Sequence, residues 1–189
     1  MSRWIERLAI VAASLAIAIG VIALLSGGLL AGRDAPGISG SGSGPGVAFR
    51  DQGDVRLKPG EPQPVYDSNP PTSGPHLPEA VGRDRGRLND NQLLQALATG
   101  DVVLMYGTRI PPPGLAAVAN AVGPPFTLAL AASGQAVILA YRPGTSGVTA
   151  LAWTHMLRAG SAADPSLRAF AQFWLGRGVP RTAKALPQS

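Results

Sequence analysis

The fold of this chain turns on the stretch Asp90–Tyr106, DNQLLQALATGDVVLMY. Asp90 has the short acceptor side chain of an N-cap, which predicts a helix over Asn91 to Thr99. Leu93, Leu94 and Leu97 fall on one face of that helix, and Gly100 supplies the left-handed stop. The run that follows, Asp101 to Tyr106, is apolar after its first residue and reads as a buried strand. A helix that feeds a buried strand through a single glycine implies a sheet with at least one helix packed on it.

Toward the C-terminus the elements stay short. Ile110 to Gly114 is a proline-rich turn, and Leu115 to Val122 is a small helix closed by Gly123 and Pro124. Phe126 to Ala132 and Gln135 to Tyr141 are apolar runs separated by Ser133-Gly134, which predicts a β-hairpin. Thr149 to Leu157 reads as one further strand. Asp164-Pro165 is an N-cap followed by a first-turn proline, with Leu167, Phe170, Ala171 and Trp174 at helical spacing behind it. Gly176 and Gly178 end that helix. The order helix, strand, helix, strand, strand, strand, helix gives an α/β or α+β class, a small sheet with helices packed on it. The step from Met105 to Phe126 becomes a right-handed crossover if its two strands are parallel.

Toward the N-terminus, Leu8 to Ala31 runs for 24 residues without a charge. At helical rise that is roughly 36 Å, enough to cross a hydrocarbon core of about 30 Å. Arg3 and Arg7 precede it, while Arg33 is followed at once by Asp34. The positive-inside rule therefore expects residues 1–7 in the cytoplasm and everything after Arg33 outside, on a single-pass signal-anchor helix at 8–31. Trp4 stands where an interfacial aromatic belongs. A cleaved signal peptide is the competing reading, with Leu29 and Ala31 as its small-residue site; the apolar run is longer than the usual h-region of about 7–15 residues. Ala35 to Gly46, APGISGSGSGPG, cannot bury enough apolar surface to order itself. Residues 32–64 are accordingly expected to be a flexible linker, 65–179 an extracytoplasmic globular domain, and 180–189 a frayed tail.

Composition removes several function classes. There is no cysteine, so disulfides, thiolate metal sites, a cysteine nucleophile and lipoprotein acylation are excluded. Beyond Arg33 there are 13 Lys and Arg against 10 Asp and Glu, a surplus of three. Only Arg83, Arg85 and Arg87 cluster, with Asp84 among them, and no aromatic residues interleave. That pattern speaks against nucleic acid as a partner.

The distinctive segment is Val65 to Pro78, VYDSNPPTSGPHLP, with four prolines and one glycine. Such a loop holds one shape at low entropic cost, which suits a site. His76 is one of two histidines in the chain; the other is His155. Either could act as base, acid or metal ligand. Tyr66, Asp67 and Ser73 add polar chemistry to the loop, and Gln95 adds it from the helix. A cuprous site could draw on His76, His155 and Met105, although core packing is the ordinary fate of a methionine in an apolar strand. Two histidines without cysteine leave a zinc shell short. Ser73 and His76 could form a nucleophile and base, but no G-x-S-x-G elbow occurs. No cofactor is called for by these residues.

Tyr66 to His76, YDSNPPTSGPH, is similar to the signature of a bacterial membrane-anchored family built on a domain of unknown function, a Pro-Pro-Thr-Ser-Gly-Pro-His loop. The resemblance covers about residues 60–180. It implies one N-terminal membrane helix, a short linker and one domain. The family pattern carries His-Ser-Leu-Glu-His-Gly where this chain has Gln95-Ala96-Leu97-Ala98-Thr99-Gly100. Only Leu97 and Gly100 agree. Ala98 and Thr99 cannot replace a carboxylate and an imidazole as bases or ligands. The sequence therefore points first to a membrane-tethered, non-catalytic binding or interaction module. A metal or acid–base domain centred on His76 is the second reading. A single-helix subunit with a membrane-protein partner is the third, resting on Gly20, Gly27 and Gly28 in the apolar run.

Overall fold

The computed structural model describes residues 44–179. The expected span at 8–31 and the tail at 180–189 lie outside them. Among the described residues no helix is long and apolar enough to cross a membrane.

In chain order the elements are β1 (Val47–Ala48), β2 (Gly86–Arg87), α1 (Asp90–Thr99), β3 (Val102–Tyr106), α2 (Leu115–Asn120), α3 (Leu128–Ala132), β4 (Val137–Tyr141), β5 (Val148–Ala152), β6 (His155–Ala159) and α4 (Pro165–Trp174). The strands form one mixed sheet in the order β1-β6-β5-β3-β4-β2, an α+β arrangement. β3 pairs in parallel with β4, and β4 with β2; the other pairs are antiparallel.

The central strands β3 and β5 are buried along their whole length because both faces are covered. Val102, Leu104 and Tyr106 pack with Leu115 of α2 and with Leu167, Phe170 and Ala171 of α4. Val103 and Met105 point the other way, toward Leu93, Leu94 and Leu97 of α1 and toward Trp153 and Met156. The alternation follows from the period of two along a strand. Each of the three α1 leucines is fully buried, which contributes about 1.5–3 kcal/mol apiece relative to exposure.

Four expectations are corrected. The cap of α1 is Asn89, not Asp90: Gln92 N donates to Asn89 Oδ1 at 2.8 Å, and Asn89 N donates to Gln92 Oε1 at 3.3 Å, a closed capping box. The second correction concerns Phe126 to Ala132. Its Leu-Ala-Leu-Ala-Ala core contains no β-branched residue and folds as α3, capped by Thr127 Oγ1 on Leu130 N at 3.2 Å. No hairpin forms there, and α2 and α3 together make the crossover that sets β4 parallel to β3. The third is that Thr149 to Leu157 is not one strand. It folds back at Trp153-Thr154, with Ala152 opposite His155 and Thr154 at φ 61°. Thr154 N donates to Thr72 O at 2.9 Å, which holds this strained turn against the loop.

The fourth correction concerns the linker. Val47–Ala48 adds a strand to the edge of β6, and Trp174 Nε1 donates to Pro45 O at 2.9 Å. Phe49 N donates to Thr154 O, and Leu57 N to His76 O. The segment from 45 to 57 therefore belongs to the fold, fastened by backbone pairing that its polar composition did not announce.

The end of α1 is fixed by close backbone contacts. Gly134 stands at φ 72°, and a Cβ there would lie 2.1 Å from Thr99 O. Gly176 N donates to Gly100 O at 2.8 Å, and Val179 N to Ala98 O at 3.0 Å. Only glycine lets these segments meet.

Candidate functional site

The Val65–Pro78 loop is held from every side. Ser73 Oγ donates to Arg50 O and accepts from Gln52 N, both at 3.1 Å. Thr72 N donates to Ser68 Oγ at 3.1 Å. Gly74, at φ 126°, lies under the Tyr66 ring, whose hydroxyl donates to Pro75 O at 2.8 Å. Burial raises the Tyr66 phenol above its usual range, and the charge of Asp90 adds to that. Leu77 N donates to Asn91 Oδ1 of α1 at 3.1 Å. Arg158 reaches Asn69 O at 2.8 Å and Arg142 reaches Asn69 Oδ1 at 3.1 Å.

His76 is fully buried at the end of this loop. Its Nδ1 donates to Gly74 O at 2.9 Å, which leaves Nε2 as the free nitrogen. Nε2 faces Asp54 Oδ1 at 3.7 Å, ion-pair range but beyond a hydrogen bond. Both atoms are buried without a hydrogen-bond partner. Asp54 arrives here because residues 54–57 run beside the loop, with Arg56 opposite His76 in a parallel bridge.

A polar chain continues from this pair. Arg56 Nε lies 3.6 Å from Asp54 Oδ1, and its Nη1 donates to Gln95 Oε1. Gln95 Nε2 in turn donates to Thr99 Oγ1 at 3.1 Å, and Thr99 Oγ1 donates to Gln95 O at 2.7 Å. Gln95 and Thr99 thus form an amide–hydroxyl pair on α1.

The chain forms one wall of a half-open groove of about 680 Å³. Arg56, Gln95, Thr99 and Asp101 supply its polar side chains. Its apolar surface comes from Val81, Ala96, Leu128, Ala131 and Ala132, together with Pro78, Ala80 and Gly82. Asp101 is 2% exposed, and its Oδ1 accepts from Ala136 N at 2.8 Å. Burial pushes its carboxyl up to about 7, and the Ala136 hydrogen bond opposes that rise only in part. A carboxyl that titrates near neutral pH at the edge of a groove can hold or release a proton there.

Of the residues named from sequence, His76 and Gln95 join this system. Tyr66 and Ser73 serve to build the loop, and Ser73 makes no hydrogen bond to His76. Asp67 is exposed on another face, beside Asn69 and Met156. His155 is on the opposite side of the sheet from Met105. It pairs with Ala152 and stacks on Trp174 of α4 at 3.9 Å, while Met105 belongs to the core under α1. A shared site for His155 and Met105 is therefore excluded by the sheet between them. Among the described residues no three His, Cys, Asp or Glu side chains converge as a metal-ligating set.

Sequence reasoning missed Asp54, Arg56 and Asp101. Asp101 had a signal, since a carboxylate heading a fully buried strand is costly unless it has a role. Asp54 and Arg56 had none, because only tertiary pairing brings residues 54–57 beside His76.

A family model described as "Protein of unknown function (DUF3105)" matches residues 61–185, a stretch that includes the Val65–Pro78 loop, α1 to α4 and β2 to β6. Comparisons with curated proteins and with solved structures give no match.

Proposed function

The chain belongs to the DUF3105 family of proteins of unknown function, and on that premise we propose that it is a membrane-tethered binding module whose ligand site is the groove beside α1. In this reading the apolar run at 8–31 anchors the chain with its N-terminus in the cytoplasm, and the domain acts outside it. The observation that carries the binding role is the groove itself. It joins an apolar surface to a guanidinium whose direction is set by Asp54 on one side and Gln95 on the other. Few convergent polar groups in a mainly apolar cleft are the usual make-up of a small-molecule site. The Val65–Pro78 loop then serves as scaffold: His76 pairs by its backbone with Val55 and Leu57, which keeps Asp54 and Arg56 beside it.

A second reading, acid–base chemistry, is favoured by one observation, the Asp101 carboxyl at about 7 in the groove. No second carboxyl and no imidazole lines the groove with it, so binding is the better supported role.

Two experiments test the proposal. Protease added to intact spheroplasts should cleave the domain, and protease confined to the cytoplasmic side of inverted vesicles should not; the opposite pattern would reject the topology. A fragment set screened by methyl NMR against the full-length protein in lipid nanodiscs should shift Val81, Ala96, Leu128, Ala131 and Ala132. A set that leaves all five unmoved would reject the binding role.

A further inference from the structure

We infer that the ligand of this groove is an amphipathic monocarboxylate, its carboxylate on the Arg56 guanidinium and its apolar body along Ala96, Leu128 and Ala131. The inference rests on the binding reading and narrows it to a chemical class.

The argument is one of charge and surface. Among the lining side chains Arg56 is the one that carries a fixed positive charge, and its side chain is 47% exposed. Its Nε faces Asp54 and one Nη1 hydrogen is engaged by Gln95, so the outer edge of the fork remains for a ligand. A carboxylate matches that planar edge. A phosphate dianion fits less well, because one guanidinium would have to face two charges. A purely apolar ligand would cover Arg56 without pairing it, which is costly. A cationic ligand would meet Arg56 in repulsion, and the carboxylate that could attract it is buried and already bonded to Ala136. Asp101 adds a condition. As its carboxyl ionises with rising pH, it opposes an anion in the same groove.

The test compares three probes with one apolar body: 4-phenylbutyrate, 4-phenylbutanol and 4-phenylbutylamine. Each is titrated calorimetrically into the full-length protein in nanodiscs, with empty nanodiscs subtracted. The butyrate should bind, the alcohol should bind at least about tenfold more weakly, and the amine should not bind. Arg56→Gln should reduce butyrate affinity by a similar factor, and Arg56→Lys should restore part of it. Ala132→Phe adds bulk from the exposed rim of the groove and should abolish binding without touching the core. Butyrate affinity unchanged in R56Q, or amine binding as tight as butyrate, would overturn the inference. If no probe binds while other fragments shift the Ala96 and Ala132 methyls, the ligand class is wrong and the binding reading stands. If nothing shifts those methyls, both are wrong.

Discussion

His76 Nε2 faces Asp54 Oδ1 at 3.7 Å, and neither atom has a hydrogen-bond partner. The imidazole is oriented from its other side by the Gly74 carbonyl, so the facing nitrogen is set by the loop itself. From Asp54 the contacts pass to Arg56, Gln95 and Thr99, and so to the groove. The loop thus acts on the groove at one remove, by positioning the guanidinium.

Ser73 is predicted to be a latch and not a nucleophile. Ser73→Ala leaves Gln52 N and Arg50 O without their partner and should cost about 1–3 kcal/mol in urea denaturation. Ser73→Thr or Ser73→Cys restoring function without restoring stability would point to chemistry at this residue instead.

Asp101 gives the protein a pH-dependent stability with a definite sign. Its folded pKa, about 7, lies above the ordinary aspartate value of 3.8, so the folded state holds a proton that the unfolded state releases. The resulting stabilisation is complete below pH 3.8 and is lost as pH rises through 7, by at most about 4 kcal/mol. Asp101→Asn keeps the acceptor for Ala136 N and removes the titration. Denaturation of both proteins from pH 4 to 8 should show the variant gaining steadily on the wild type. A constant difference would mean that Asp101 does not titrate in this range.

His155 works in the other direction. Burial lowers its pKa below the usual 6.5, and the Trp153 carbonyl offsets that in part. A depressed histidine contributes stability above its unfolded pKa and loses it as pH falls through the folded value. His155→Phe should keep the aromatic contact with Trp174 and remove this acid limb. The melting-temperature difference between variant and wild type should therefore grow in favour of the variant from pH 7 to pH 5.

Gly134 tests the packing behind the groove. Gly134→Ala places a Cβ 2.1 Å from Thr99 O at positive φ and should cost at least about 2 kcal/mol, read by thermal denaturation. Gly60→Ala, also at positive φ but in open space, should cost roughly 1 kcal/mol. Similar losses at both positions would assign the effect to backbone strain alone.

Much of this architecture was legible in the sequence, and the exceptions have physical causes. The α1–β3 step and α4 follow from local signals: a leucine face, a glycine stop, an Asp-Pro start. Leu128 to Ala132 was misread because period two and period 3.6 are hard to separate over five apolar residues, and alanine decided for the helix. The β5–β6 turn was missed because Trp153-Thr154 carries neither Gly nor Asn; the hydrogen bond from Thr154 to Thr72 sustains it. In the site, His76 and Gln95 were visible by type. Their connection was not, since it runs through Asp54 and Arg56 in a segment whose composition resembles linker.

The most direct test of the central claim is a methyl NMR titration of the full-length protein in nanodiscs with 4-phenylbutyrate. The account predicts dose-dependent shifts at Val81, Ala96, Leu128, Ala131 and Ala132, with none at Val47, Met156 or Leu157, which line a separate cleft beside Asp67. Shifts confined to that second set, or no shifts in either, would contradict it.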